Sequence, residues 1–232
     1  MAHVREPAYD RGVRPIDMRE FTAGVTWWRT KTDWPADFHN RDYPVMAAEN
    51  PNGRFDAVWW ANVQPRLTRW NAFRPAPRSV VAANVAAQAD ALAQAWKSSC
   101  EPHRDADISA PEVTWEAVRA FPDVVATLKP TRSPVFTSKL CHFLLPKVFP
   151  VIDGLAVGGL SFTYERYFNV VKGSWEATDP DTRKALIAEM TRLVEQLDRP
   201  LEPTFPLVTK IVELALIGRR HGEPGHDDSA AA

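Results

Sequence analysis

Only two cysteines occur in the 232 residues, Cys100 and Cys141, and they form no CxxC pair. A disulfide framework and a CxxC-type zinc site are thereby excluded, and free thiols in a cytoplasmic setting are expected. No run of 18 apolar residues is present and no apolar stretch follows Met1, so neither a membrane span nor a signal segment is expected. The patterns GxxxxGKS/T, GxGxxG, GxSxG and HExxH are all missing. P-loop, Rossmann, nucleophile-elbow and zincin chemistries lose their carriers, and no cofactor is implied. The six histidines do not fall at metal-ligand spacing. The stretch His103 to Asp107 comes nearest to a cluster, but it lies in a polar segment expected to be solvated, so no metal is expected. A large excess of charge is lacking too. The formal net charge is −1, so a nucleic-acid partner would have to be met by a local basic patch.

What is present is a helical grammar. Hydrophobic residues make up 45% and charged residues 25%, values of a chain that buries a core. Strict two-residue alternation is absent beyond a few residues, whereas three- and four-residue apolar steps recur throughout. The fold class expected is all-α, a multi-helix globular protein of seven to nine helices. Its expected parts are an N-terminal tail (1–14), a Trp-rich helical part (15–100), a second helical part (112–220) and a C-terminal tail (221–232). The polar, Pro-flanked stretch Cys100 to Pro111 marks the boundary between the two helical parts. Six of the nine tryptophans fall in the first 70 residues and are read mainly as core anchors. Arginine outnumbers lysine and alanine is abundant, which coding bias explains without any phosphate-binding role.

Individual helices follow from spacing and punctuation. Phe55, Trp59, Val63, Leu67 and Trp70 predict a helix over 54–71, led in by Asn52-Gly53, with Pro65 expected to kink or divide it. An Ala-rich helix is predicted over 79–98, another over 114–128 capped by Thr114 or by the preceding turn, and one over 136–145 that Pro146 ends. A helix over 162–175 buries Tyr164, Phe168, Val171 and Trp175. Asp179-Pro180 reads as an N-cap followed by proline at the first helical position. The last helix, 206–219, is apolar nearly all round, so its Lys210 and Glu213 are expected to pair in a buried setting.

Between 129 and 152 stand four basic residues, Lys129, Arg132, Lys139 and Lys147, and no acidic one. With Ser138 and His142 they form the candidate nucleic-acid footprint, the alternative being a solvated helix flank. Arginines 54, 66, 69, 74 and 78 face a single acid, Asp56, in the N-terminal half. Arg66 is expected either to stack on an aromatic ring or to pair with a buried acid. Trp27-Trp28 and Trp59-Trp60 are read as core rather than base-stacking pairs.

The stretch TSKLCHFLLPKVFPVID, 137–153, combines an apolar helix, a two-proline stop and a terminal carboxylate. The order of parts over about 113–160 resembles the helix-hairpin-helix DNA glycosylase superfamily. It runs helix, tight connection (LKPTRSPV, 128–135), a helix opening Phe136-Thr137-Ser138-Lys139-Leu140, a turn, then Val151-Ile152-Asp153. The resemblance implies a hairpin whose amides hold a DNA phosphate, and an aspartate, Asp153, that supports cleavage of the base–sugar bond. Ser133-Pro134 stands where such hairpins carry Gly-x-Gly. Val135 or Phe136 stands where strand-cutting members carry lysine, so lyase chemistry is not implied. Asp153 is read either as an N-cap alone or as a cap with a catalytic role. Tyr164, Lys210 and Glu213 are candidate supports of that site.

Two functions follow as expectations: a nucleic-acid-associated protein with base-excision chemistry at Asp153, or a non-catalytic helical interaction protein. A small-molecule enzyme built on Lys210, Glu213 and Asp153 is a third option without a motif. Substrate and oligomeric state have no signature.

Overall fold

The computed structural model describes residues 12–35, 42–45, 48, 53–73, 76–154, 163–196 and 200–222. Among them the fold is all-helical and contains no strand. The helices used below are α1 (Met18–Lys31), α2 (Ala57–Arg69), α3 (Arg78–Ala87), α4 (Ala89–Ser99), α5 (Trp115–Val118), α6 (Ala120–Ala126), α7 (Pro134–Leu144), α8 (Tyr164–Ala177), α9 (Pro180–Glu195) and α10 (Leu207–His221).

Local chemistry explains most of the starts. Asp17 and Glu20 form a reciprocal capping box at α1, and the side chains of Asp56, Thr114, Ser133, Thr163 and Asp179 each accept an amide at the head of a helix. Pro180 occupies the first turn of α9 as its spacing predicts. The Asn52-Gly53 lead-in falls partly outside the described residues. Gly53 itself is described and takes φ +64°.

Three expected helices differ. The Ala-rich run is broken at Gln88 into α3 and α4. At the break Gln88 accepts a hydrogen bond from Thr127 and Asn84 donates to the Leu128 carbonyl, so docking onto the 127–128 turn outweighs alanine's helix preference. The 114–128 helix is interrupted at Arg119. Pro65, by contrast, does not divide α2: the helix continues through it, held by buried Trp59, Trp60, Val63 and Leu67.

The most extensive contact between two elements is that of α1 on α10, a crossing that the sequence does not announce. Gly24 and Gly218 sit where the two backbones touch. Arg219 reaches Glu20 at 2.7 Å and the Arg14 carbonyl at 3.4 Å, and His221 stacks on Trp27 at 4.0 Å. Residues 14 and 221, placed in the expected tails, are therefore fastened to the core helices. The rest of both tails lies outside the described residues. Residues 100–111 are not an open linker either, since Cys100, His103 and Ile108 are buried and the Lys172 ammonium holds the Ile108 and Ala110 carbonyls.

Helix α7 runs through the middle, and all nine residues from Phe136 to Leu144 are buried. The flank of Lys139 and His142, expected to face either a nucleic-acid phosphate or water, is thus enclosed. Helix packing on several sides wins over the amphipathic pattern, and the polar side chains must find partners inside. The connection 127–133 contains no residue with positive φ, so it does not make the left-handed turn that a Gly-x-Gly hairpin uses.

Candidate functional site

Leu145 closes α7 in a non-helical conformation because Pro146 bars the α region to it. The chain turns and returns beside α7 as an irregular segment, Phe149 to Asp153. A buried irregular backbone must satisfy its polar groups without a ladder. Here four consecutive residues each give one backbone group to a side chain. His142 Nδ1 donates to the Phe149 carbonyl at 2.6 Å, and Tyr164 Oη donates to the Pro150 carbonyl at 3.0 Å. The Val151 amide donates to Glu213 Oε1 at 2.7 Å, and the Ile152 amide donates to Ser138 Oγ at 2.9 Å. Three helices, α7, α8 and α10, therefore strap one short segment from different directions. Asp153 stands at its end, half-buried.

Each strap is itself held. Ser138 Oγ passes its own hydrogen to the Val135 carbonyl at 3.0 Å. A carbonyl only accepts, so His142 carries its hydrogen on Nδ1, and Nε2 faces the Tyr43 hydroxyl at 3.2 Å. The Tyr43 and Trp70 rings pack on the same imidazole. Burial pushes the Tyr164 phenol well up, so it stays a donor. Trp115 lies edge-on to the Tyr164 ring. Glu213 is enclosed, and burial first of all raises its carboxyl. Lys210, 3.0 Å away, and the Val151 amide oppose this, whereas the charge of Asp153 adds to it.

Lys139 approaches Asp153 from α7. Its Nζ donates to the Trp70 carbonyl at 2.5 Å. That carbonyl is aimed by a Schellman turn at the end of α2, where Asn71 at φ 53° lets Asn71 and Ala72 bond back to Thr68 and Leu67. Desolvation lowers the Lys139 ammonium, and the charge of Asp153 works against that loss. The charge of Asp153 thus acts on both Lys139 and Glu213 at the end of the strapped segment.

The structure gathers Ser138, Lys139, His142, Asp153, Tyr164, Lys210 and Glu213 around this segment, but in different parts from those expected. Ser138 and His142 are fully enclosed and hold backbone, so they do not face a phosphate. Lys129 is also buried, with its ammonium over the Phe136 ring at 5.6 Å. Of the four basic residues only Arg132 and Lys147 reach solvent, beyond opposite ends of α7. An 11-residue helix separates them by roughly 16 Å along its axis. The Arg66 guanidinium lies 5.7 Å over the Phe143 ring. The capping expectation for Asp153 depends on residues 155–162 and lies outside the described residues. Tyr43 and the Trp70 carbonyl were not expected at the site. Tyr43 stands alone in a Pro-bounded stretch without periodicity. Asn71 after an apolar helix was a readable C-terminal signal for the Trp70 turn. No family model matches the chain, and no curated protein or solved structure matches it either.

Proposed function

We propose that the protein associates with nucleic acid and that Asp153 is the acting carboxylate of an N-glycosidic bond hydrolysis. One observation carries the reading: the segment leading to Asp153 is held residue by residue by His142, Tyr164, Glu213 and Ser138, beside a fixed ammonium. A catalytic carboxylate must be kept within a fraction of an ångström of its working position, and a shell of locked side chains provides that. Breaking a base–sugar bond builds positive charge on the sugar, which a rigidly placed carboxylate stabilises while it orients the attacking water. Arg132 and Lys147 remain available to backbone phosphates.

Fluorescence anisotropy with duplex and single-stranded DNA at 50 mM and 200 mM salt tests the association. Affinity is expected to fall by about tenfold or more across that range, because phosphate contacts release counterions. Absent or salt-independent binding overturns the nucleic-acid reading and leaves the helical interaction protein. For the chemistry, a panel of damaged and modified bases is offered to wild type and to Asp153→Asn. Base release should drop by about a hundredfold or more with DNA affinity unchanged, since the variant removes transition-state rather than ground-state stabilisation. If wild type frees no base, the chemical part of the proposal fails while the binding part stands.

A further inference from the structure

The imidazole that fastens Phe149 is itself held by a residue 99 positions away along the chain. Tyr43 lies in a helical turn, 42–45, of the N-terminal half, and both it and His142 are fully enclosed. Its hydroxyl stands 3.2 Å from His142 Nε2, and its ring meets the imidazole nearly at right angles, with centroids 5.7 Å apart. Tyr43 has anchors besides His142. Its ring packs edge-on with Phe205 at 5.6 Å, and the neighbouring Asp42 pairs with Arg69 of α2 at 3.1 Å.

A histidine ring turned half a revolution about its bond to Cβ exchanges nitrogen for carbon on both edges. The torsion about that bond is broad and roughly two-fold, so the rotamer preference of His142 does not choose between the two orientations. Only one of them brings Nδ1 within 2.6 Å of the Phe149 carbonyl. The other sets a carbon against that buried carbonyl, which then loses its bond. The Tyr43 hydroxyl, at the Nε2 edge, selects the same orientation as Phe149. Two hydrogen bonds from different parts of the chain thus settle what the torsion leaves open, and bonds linked through one ring polarise each other.

We infer that Tyr43 is a positioning residue for the chemistry at Asp153. It orients His142, which sets the Phe149 carbonyl and with it the segment that ends in the carboxylate. This rests on the assignment of base release to Asp153. Tyr43 itself is enclosed, and its effect passes through the imidazole.

A double-mutant cycle tests that route. Asparagine places its side-chain nitrogen where Nδ1 stands, so His142→Asn keeps a donor for Phe149 and leaves Tyr43 no ring to orient. With His142 present, Tyr43→Phe is expected to lower kcat for base release by about tenfold with KM unchanged, and to speed hydrogen exchange of the Val151 and Ile152 amides by about as much. In the His142→Asn background, Tyr43→Phe should change neither. An equal loss in both backgrounds overturns the inference, because Tyr43 then serves packing in general. No loss in either background overturns it as well. The exchange arm does not need base release: if wild type frees no base, the chemistry assigned to Asp153 fails, and amide exchange alone decides whether Tyr43 places the segment. If His142→Asn melts early, the Nδ1 hydrogen of His142 decides by NMR. Tyr43→Phe should broaden or remove its resonance, and an unchanged resonance overturns the inference.

Discussion

Gly218→Ala is expected to destabilise the protein by about 3 kcal/mol or more, the opposite of what a helical glycine-to-alanine exchange does on a free surface. A lone helical glycine costs roughly 0.5–1 kcal/mol relative to alanine. At position 218 an added Cβ would overlap the Glu20 carbonyl oxygen of α1 and stand 2.7 Å from the Gly24 nitrogen. Both obstacles are backbone, so no side chain can swing away to make room. The reciprocal holds for Gly24, whose Cβ would overlap the Leu214 carbonyl. Separating α1 from α10 by even one methyl thickness opens the crossing beside buried Phe21 and Val25 and lengthens the 2.7 Å bond between Arg219 and Glu20. Thermal unfolding reads the effect as a fall in Tm of roughly 6–12 °C, at 2–4 °C per kcal/mol for a chain of this length. The double variant Gly24→Ala/Gly218→Ala should cost less than the sum of the singles, because either methyl alone already opens the shared crossing. A Gly218→Ala protein as stable as wild type would show that the helices do not approach this closely.

That crossing shows where the sequence stops being informative. Only α10 was read from its apolar surround; α1, although Asp17 and Glu20 cap it, was not read from the sequence. Their partnership joins residues about two hundred positions apart, and a single glycine in each is too weak a signal to pair them. The same limit governs the site. Periodicity placed Lys139 and His142 together on α7 and then assigned that flank to a nucleic-acid phosphate or to water. A 100° wheel records angles on one helix and cannot count how many neighbours surround it. The basic footprint lost two of its four cations for a related reason: it counted charges along the chain, whereas Lys129 lies over Phe136 and Lys139 turns inward to the Trp70 carbonyl. Pairing of Lys210 with Glu213 was legible because both lie on one helix at a contact spacing, in a surround too apolar to leave a charge alone. What no local rule offered was the second bond of Glu213, to an amide 62 residues away that periodicity treats only as part of a turn.

Glu213 separates geometry from charge at the site, and two substitutions should divide them. Glu213→Leu leaves the Val151 amide without this acceptor and removes the carboxylate that pairs with Lys210 at 3.0 Å, in largely dry surroundings. Breaking a buried pair of this kind typically costs about 3–5 kcal/mol, so urea unfolding should show a loss in that range. Glu213→Gln keeps an oxygen for Val151 and removes only the charge, so its loss should be well below that of the leucine variant. The pH dependence follows from burial. The carboxyl is raised in the folded state relative to its ordinary value of 4.5, so between 4.5 and its folded value the native protein binds more protons than the unfolded chain. Stability therefore falls as pH rises through that window, and the contribution is fully present below the unfolded value. Measured against the Glu213→Gln variant at each pH, wild type should be relatively most stable near pH 4 and lose ground as pH rises above it. A difference that does not change with pH would mean that Glu213 ionises in the folded protein as readily as in the unfolded chain. Its bond to Val151 would then be that of a hydrated surface carboxylate, and the strap beside Asp153 would lose the dry support from which its rigidity comes.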